Sequence, residues 1–233
     1  MADTLSGRRL IGLCALLAAA LPLVAFAAFA VAYRFDVGRL ADLPSIVGDR
    51  DAAMTLRIAG LLDMSAYLVV APLVAYLHSV LRADAPDVMG LVTFCGFAYV
   101  LLGSLGGTIF ATVGPPLVID GSDVARTTFG AFATLVTVTI WSTLESIFLG
   151  VWLVGVGWLL RRHHSGLGTL AIVAAVGAFL SAARSGLTGQ SVGDLPGPID
   201  LLIVGWYGLY VPWMAWLGIH LVGHAASPGW SRR

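Results

Sequence analysis

Six long apolar runs, separated by shorter polar segments, organise the chain. A helix that crosses roughly 30 Å of hydrocarbon needs about 20 mostly apolar residues. The runs show no alternation of apolar and polar residues that would indicate a membrane barrel. The pattern therefore predicts an all-α fold, a single domain over residues 1–233 that forms a bundle of about six transmembrane helices at approximately 10–33, 58–81, 88–113, 128–160, 167–183 and 199–223.

The connections between these runs contain residues that start or stop helices. The segment from Arg34 to Arg57 is the longest connection, and it could form a short interfacial helix after Pro44. Two further connections carry proline and glycine clusters that predict tight turns, at 114–116 and 193–198. Asp123 and Asp200 stand where they could cap the helices that follow.

The first apolar run has two interpretations. Arg8 and Arg9 precede it, and the small-residue pattern at 25–30 could be accepted by a signal peptidase. However, an apolar run of this length is long for a cleaved signal peptide. We therefore expect the first helix to be retained in the membrane.

Composition points to a lipid environment and excludes several classes of function. Of the 233 residues, 58% are hydrophobic and 11% are charged, and the net charge is zero. No basic stripe predicts contact with nucleic acid. Lysine is absent, so there is no phosphate-binding loop of the GxxxxGK type. Cys14 and Cys95 lie in apolar runs and are interpreted as small core residues.

Arginine placement predicts the orientation. With both termini in the cytoplasm, seven arginines face inside and six face outside, while the outer connections are longer and hold most of the aspartates. The sequence thus predicts a multi-pass protein of a bacterial inner membrane with cytoplasmic N- and C-termini.

Glu145, the single glutamate of the chain, lies near the middle of the fourth run. At helical spacing it shares a largely polar and aromatic face with Thr134, Val138, Trp141, Phe148 and Trp152. An ionisable group in a membrane helix is a functional candidate by default. Glu145 could carry a proton or bind a ligand, or it could join helices through hydrogen bonds.

The second run carries a similar stripe of Asp63, Tyr67, Ala71, Val74 and His78. The structural interpretation of Asp63 is an ion pair with Arg57 or Arg184 near the outer membrane surface. The functional interpretation adds Asp63 and Tyr67 to a ligand-binding or proton-carrying site.

The sixth run has the strongest aromatic face, with Trp206, Tyr210, Trp213, Leu217, His220 and His224. The aromatic residues could line a ligand cleft, and His220 and His224 have the i, i+4 spacing of a weak candidate metal pair. The alternative is that these residues are interfacial anchors.

Small residues predict close helix packing. Gly103 and Gly107 form a GxxxG pattern in the third run, and Ala174, Ala178 and Ala182 form a similar row in the fifth. We interpret both rows as packing faces.

The second half of the chain resembles an uncharacterised six-helix family of bacterial inner-membrane proteins, known as a domain of unknown function. The resemblance rests on the tryptophan- and glycine-rich segment 150–160, the short basic link after it, and Leu167-Gly168-Thr169-Leu170. Residues 56–62 are similar in character. The resemblance implies a single six-helix domain and supplies no reaction.

Two functional hypotheses follow, and a third is weaker. The chain could bind or transport a small hydrophobic or protonatable ligand in the helix bundle, with the lipid bilayer as its surroundings. It could instead be a non-catalytic scaffold or subunit that packs against other membrane helices. The third hypothesis is a redox protein that holds haem or quinone. No cofactor is identified from the residues alone.

Overall fold

The computed structural model describes residues 5–36, 38–39, 42–189, 205 and 208–223, and this part of the chain is helical with no β-strand. The prediction of an all-α bundle of about six helices is confirmed. The helices are α1 (Leu5–Ala32), α2 (Arg50–Leu68), α3 (Ala71–Leu81), α4 (Pro86–Thr112), α5 (Gly114–Asp120), α6 (Asp123–Thr134), a π-helix (Leu135–Glu145), α7 (Ser146–Leu160), α8 (Ser165–Thr188) and α9 (Tyr210–Gly223).

Five helical spans in the described residues are long and apolar enough to cross a membrane, and this is the architecture of an integral membrane protein. They are Gly7–Ala32, Arg50–Leu81, Pro86–Asp120, Asp123–Leu160 and Ser165–Thr188. The helix α9 is a sixth apolar helix. The predicted turn at 193–198, Asp200 and the beginning of the predicted sixth helix lie outside the described residues.

The second span begins earlier than the apolar pattern predicts. Asp49 caps α2, and its side chain accepts hydrogen bonds from the backbone N–H groups of Asp51 and Ala52. Arg57, predicted to end a loop, therefore lies inside a helix. The span is interrupted between α2 and α3, immediately before Pro72. Proline lacks the N–H group that would continue the backbone ladder, and its ring collides with the preceding turn.

Two predicted helix boundaries are wrong in detail. Pro115 and Pro116 do not leave a non-helical turn, because they occupy the first positions of α5, where a missing N–H group is tolerated. Ser122, rather than Asp123, caps α6, since its hydroxyl accepts from the backbone N–H of Ala125 at 3.1 Å.

The connection before α2 folds into a cap over one end of the bundle. It contains a 3₁₀ helix at Leu43–Ile46, where the sequence predicted an interfacial helix after Pro44. Arg126 of α6 ties this segment down through hydrogen bonds to the carbonyl oxygens of Pro44 and Val47. Ile46, the last residue of this 3₁₀ helix, is fully buried.

The first helix is part of the bundle. It packs against both α2 and α9. The backbones of α1 and α9 approach closely, since a Cβ atom on Gly12 would lie 3.0 Å from the Gly218 carbonyl oxygen. Ala15 and Ala18 are buried. Cleavage of α1 would expose this contact, so the packing favours the interpretation that it is retained.

The fifth run packs as its small residues predict. Ala174, Ala178 and Ala182 are buried, and α8 lies against α7. A Cβ atom on Gly157 would lie 2.8 Å from the carbonyl oxygen of Gly168. Small residues on both helices thus allow the close backbone approach that stabilises helix pairs in lipid.

Candidate functional site

Glu145 and Tyr67, two candidates from separate stripes of the sequence, meet inside the bundle. Glu145 is 1% exposed. The Tyr67 hydroxyl donates a hydrogen bond shared between the two carboxylate oxygens, with distances of 3.0 and 3.1 Å to Oε1 and Oε2. A buried carboxylate needs such a donor, because its desolvation is otherwise costly. The pair joins the π-helix to α2 across 78 residues of sequence.

Tyr67 also belongs to a group of aromatic side chains from four helices, which we call the tyrosine–tryptophan cluster: Tyr67, Tyr99, Trp152, Tyr210 and Trp213. Tyr99 of α4 is at the centre, with its ring centroid 5.2 Å from that of Tyr67, 6.0 Å from Tyr210 and 6.1 Å from Trp152. Trp152 and Trp213 meet edge to face at 5.7 Å. The cluster can offer ring faces to an apolar or cationic group next to Glu145.

Glycines of α4 make room for the large side chains of this region. A Cβ atom on Gly103 would lie 2.1 Å from the Tyr67 ring, and one on Gly96 would lie 2.9 Å from the Trp152 ring. At Gly106 the corresponding distance, to Nε1 of Trp141, is 2.1 Å. Each distance is too short for a real side chain, so the glycines are required where the aromatic rings contact α4.

The predicted stripe of helix two is a seam between the second span and α4. Its members meet α4 at successive levels: Asp63 at Gly107, Tyr67 at Gly103 and Val74 at Gly96. At the far end, the imidazole Nδ1 of His78 and the hydroxyl of Thr93 are 2.7 Å apart. Polar groups therefore recur along a helix seam whose backbones lie close together.

Asp63 is not paired as the sequence predicted. No ion pair joins it to Arg57 or Arg184, although all three residues are in the described part of the chain. Its Oδ2 atom is buried and has no hydrogen-bond partner among the described residues. Gly107 lies opposite, where a Cβ atom would be 3.1 Å from Oδ2.

Trp141 lies outside the tyrosine–tryptophan cluster. It stacks on Phe110 with 5.2 Å between centroids and meets Phe29 edge to face at 6.5 Å. Its indole Nε1 is buried, and no residue in the part of the chain that the structure describes forms a hydrogen bond with it. The stripe predicted for helix four is present in part. Trp141 and Trp152 both face α4, at Gly106 and Gly96, but Thr134 is exposed and the two tryptophans belong to different aromatic groups.

The π-helix explains this difference. Over Leu135–Glu145 the backbone bonds five residues back rather than four, so the angular spacing of the side chains departs from that of an α-helix. Two hydroxyls follow the wider pattern: Thr143 donates to the Val138 carbonyl at 2.7 Å, and Ser146 donates to the Trp141 carbonyl at 3.1 Å. Glu145 is the last residue of this segment, and π-helical turns are frequent at functional sites.

The structure describes one member of the candidate metal pair, His220. His220 lies beside His164, with ring centroids 4.2 Å apart, while His163 bonds the Asp84 carboxylate at 2.7 Å. His224, its predicted partner, and Trp206 lie outside the described residues. Within those residues, no group of three or more histidine, cysteine or acidic side chains could hold a metal ion.

Tyr99 is the principal site residue that the sequence did not reveal. It is buried in α4, and it contacts three of the predicted candidates: Tyr67, Trp152 and Tyr210. Its spacing of four residues from Gly103 was an available signal, since it puts a tyrosine and a small residue on one face of the same helix.

No family model, curated protein or solved structure matches this chain. The resemblance of residues 150–170 to an uncharacterised six-helix family therefore stays a prediction. The site must be interpreted from its own geometry.

Proposed function

We propose that this chain binds, or carries across the membrane, a small, largely apolar and protonatable ligand that interacts with Glu145 inside the bundle. The observation that carries the proposal is the hydrogen bond from Tyr67 to both oxygens of a carboxylate buried among aromatic rings. This arrangement holds a single acidic group ready for a proton or a cationic headgroup. The neighbouring aromatic rings can pack against the apolar part of a ligand, and their faces attract a cationic group.

An amine is the ligand chemistry that these groups favour. Its ammonium group would replace a proton on Glu145, so the carboxylate would bind one or the other. Charged groups inside a membrane bundle commonly mark a substrate or ion pathway. We further propose that the protein lies in a bacterial inner membrane with both termini in the cytoplasm, as the arginine distribution predicts.

The test uses purified protein in detergent and its own tryptophan fluorescence, because Trp152 and Trp213 lie in the cluster. N,N-dimethyloctylamine is the protonatable probe, and octanol is the neutral control. We expect saturable fluorescence quenching by the amine, with affinity reduced at least about tenfold in Glu145→Gln, a loss of about 1.4 kcal/mol. Equal amine affinity in the wild type and in a folded Glu145→Gln protein would refute the proposal.

The scaffold hypothesis is the second candidate, and the same hydrogen bond favours it, since the bond joins two distant helices. It predicts that Glu145→Gln impairs folding and that no probe binds. The haem or quinone hypothesis has less support, because His220 contacts His164 and is not a member of the tyrosine–tryptophan cluster. A Soret band in protein purified from haem-replete cells would revive it.

A further inference from the structure

Asp63 is a half-buried acidic residue, with a buried Oδ2 atom, that the proposed ligand site does not use. It lies four residues before Tyr67 on α2, so the two side chains share one helix face, about 6 Å apart along the axis. They meet α4 at adjacent levels, since Asp63 faces Gly107 and Tyr67 faces Gly103. The Tyr67 hydroxyl in turn contacts Glu145.

We propose that Asp63 is a second proton-binding site, and that Tyr67 relays protons between it and Glu145. The inference rests on the proposed function, in which Glu145 exchanges its proton for a ligand. To the proposed function it adds a proton as the coupling ion, and a route by which that proton moves between Asp63 and Glu145.

The chemical environment of Asp63 favours a neutral acid. Its Oδ2 is buried, and among the described residues it has neither a hydrogen-bond partner nor an arginine in an ion pair with it. The element opposite presents glycine rather than a charged or titratable side chain at this level. An isolated carboxylate in apolar surroundings is strongly disfavoured, so the group takes up a proton instead.

Glu145 differs from Asp63 in this respect. Its carboxylate accepts a hydrogen bond from the Tyr67 hydroxyl, and the Tyr67 ring in turn contacts Tyr99 of the cluster. A hydrogen-bond donor stabilises the charged form. One carboxyl group is thus arranged to hold a proton and the other to receive one.

The transfer is balanced. The O–H bond of Asp63 breaks, and its proton passes to the Tyr67 hydroxyl oxygen, directly or through one water molecule. The original hydroxyl proton of Tyr67 passes to a carboxylate oxygen of Glu145. Asp63 is left as a carboxylate, Glu145 becomes neutral, and Tyr67 is unchanged. The next proton reaches Asp63 from the membrane face on which α2 begins, because Asp63 is one turn nearer that face than Tyr67.

The experiment follows carboxyl groups by infrared difference spectroscopy and needs no ligand. At acidic pH, the C=O bands of protonated Glu145 and Asp63 are identified as those lost in Glu145→Gln and Asp63→Asn. The protein is then transferred to D₂O, and the rate at which the Glu145 band shifts is measured. Asp87→Asn is the matched control, because Asp87 is an exposed aspartate at the start of α4.

We expect Asp63→Asn and Tyr67→Phe each to slow exchange at Glu145 by about tenfold or more, while Asp87→Asn leaves it unchanged. An unchanged exchange rate in a folded Asp63→Asn protein, or no carboxyl band assignable to Asp63, would overturn the relay. Amine binding measured on the same proteins separates the two proposals. Asp63→Asn should retain amine affinity, whereas failure of amine binding in the wild type would refute the ligand site alone.

Discussion

Replacing Gly103 by alanine should disrupt the site through one methyl group. The new Cβ atom would lie 2.1 to 2.4 Å from three atoms of the Tyr67 ring, so the ring must move. Overpacking of this kind costs about 1–3 kcal/mol, and leaving the buried carboxylate without its donor costs about 1–3 kcal/mol more. The helix itself gains only about 0.5–1 kcal/mol from alanine. We therefore expect a net loss of about 3 kcal/mol in the free energy of unfolding.

Gly90→Ala is the matched control, because it lies in the same helix and a Cβ atom there meets nothing within 4 Å. Equilibrium unfolding in mixed micelles, followed by tryptophan fluorescence, would compare the two proteins. Removing the ring with Tyr67→Ala should make Gly103→Ala much less harmful, and a double-mutant cycle measures this coupling. The reasoning is refuted if Gly103→Ala is as stable as Gly90→Ala.

Three further predictions concern other parts of the molecule. Gly107→Ala should prevent α2 and α4 from packing, because its Cβ would lie 2.7 Å from the Met64 backbone nitrogen. Gly186→Ala, where a Cβ atom meets nothing within 4 Å, should not impair folding. Folded yield after solubilisation compares the two variants. Asp49→Ala should lower the unfolding free energy by about 1 kcal/mol through loss of the helix cap. The backbone N–H of Ala52 and the Arg34 side chain hold the Asp49 pKa below its usual value. The wild type should therefore have a higher free energy of unfolding than Asp49→Ala above about pH 4. The difference should disappear as the pH falls through the lowered pKa of Asp49, and unfolding measured at several pH values would show this. Deleting Thr139, an exposed residue of the π-helix, should restore α-helical spacing and separate Glu145 from Tyr67 in a protein that still folds. Amine binding would then fall, while Thr139→Ala should bind normally.

Much of the bundle could be predicted because a membrane helix needs a long apolar run, and such a run is visible in the sequence. The same rule explains the errors at helix ends. Arg50 and Asp51 begin α2 outside the apolar run, and a cap at Asp49, not hydropathy, sets where the helix starts. Hydropathy likewise gives no sign of the break before Pro72, which follows from the geometry of proline.

The site was predicted in parts and not as a whole. Glu145 and Tyr67 stood out because polar groups are rare in membrane helices, yet nothing local to either residue indicates that they meet. Glu145 is the last residue of the π-helix, and the valines, threonines and serine of that segment are equally compatible with α-helical bonding. Tyr99 was missed because one tyrosine in an apolar helix is common, and its role depends on three other helices.

The packing of α2 against α4 and the chemistry of the site have the same origin. Gly103 and Gly107 allow the two backbones to approach, as a small-residue pattern predicts. The same two glycines also contact the polar residues of the site, since Gly103 faces Tyr67 and Gly107 faces Asp63. A larger residue at either glycine would therefore separate the helices and displace a polar group together. Variants that enlarge the seam cannot distinguish a structural role from a functional one. Asp63→Asn and Tyr67→Phe preserve side-chain shape and change only the protons and hydrogen bonds, so they are the variants that can assign the function of this site.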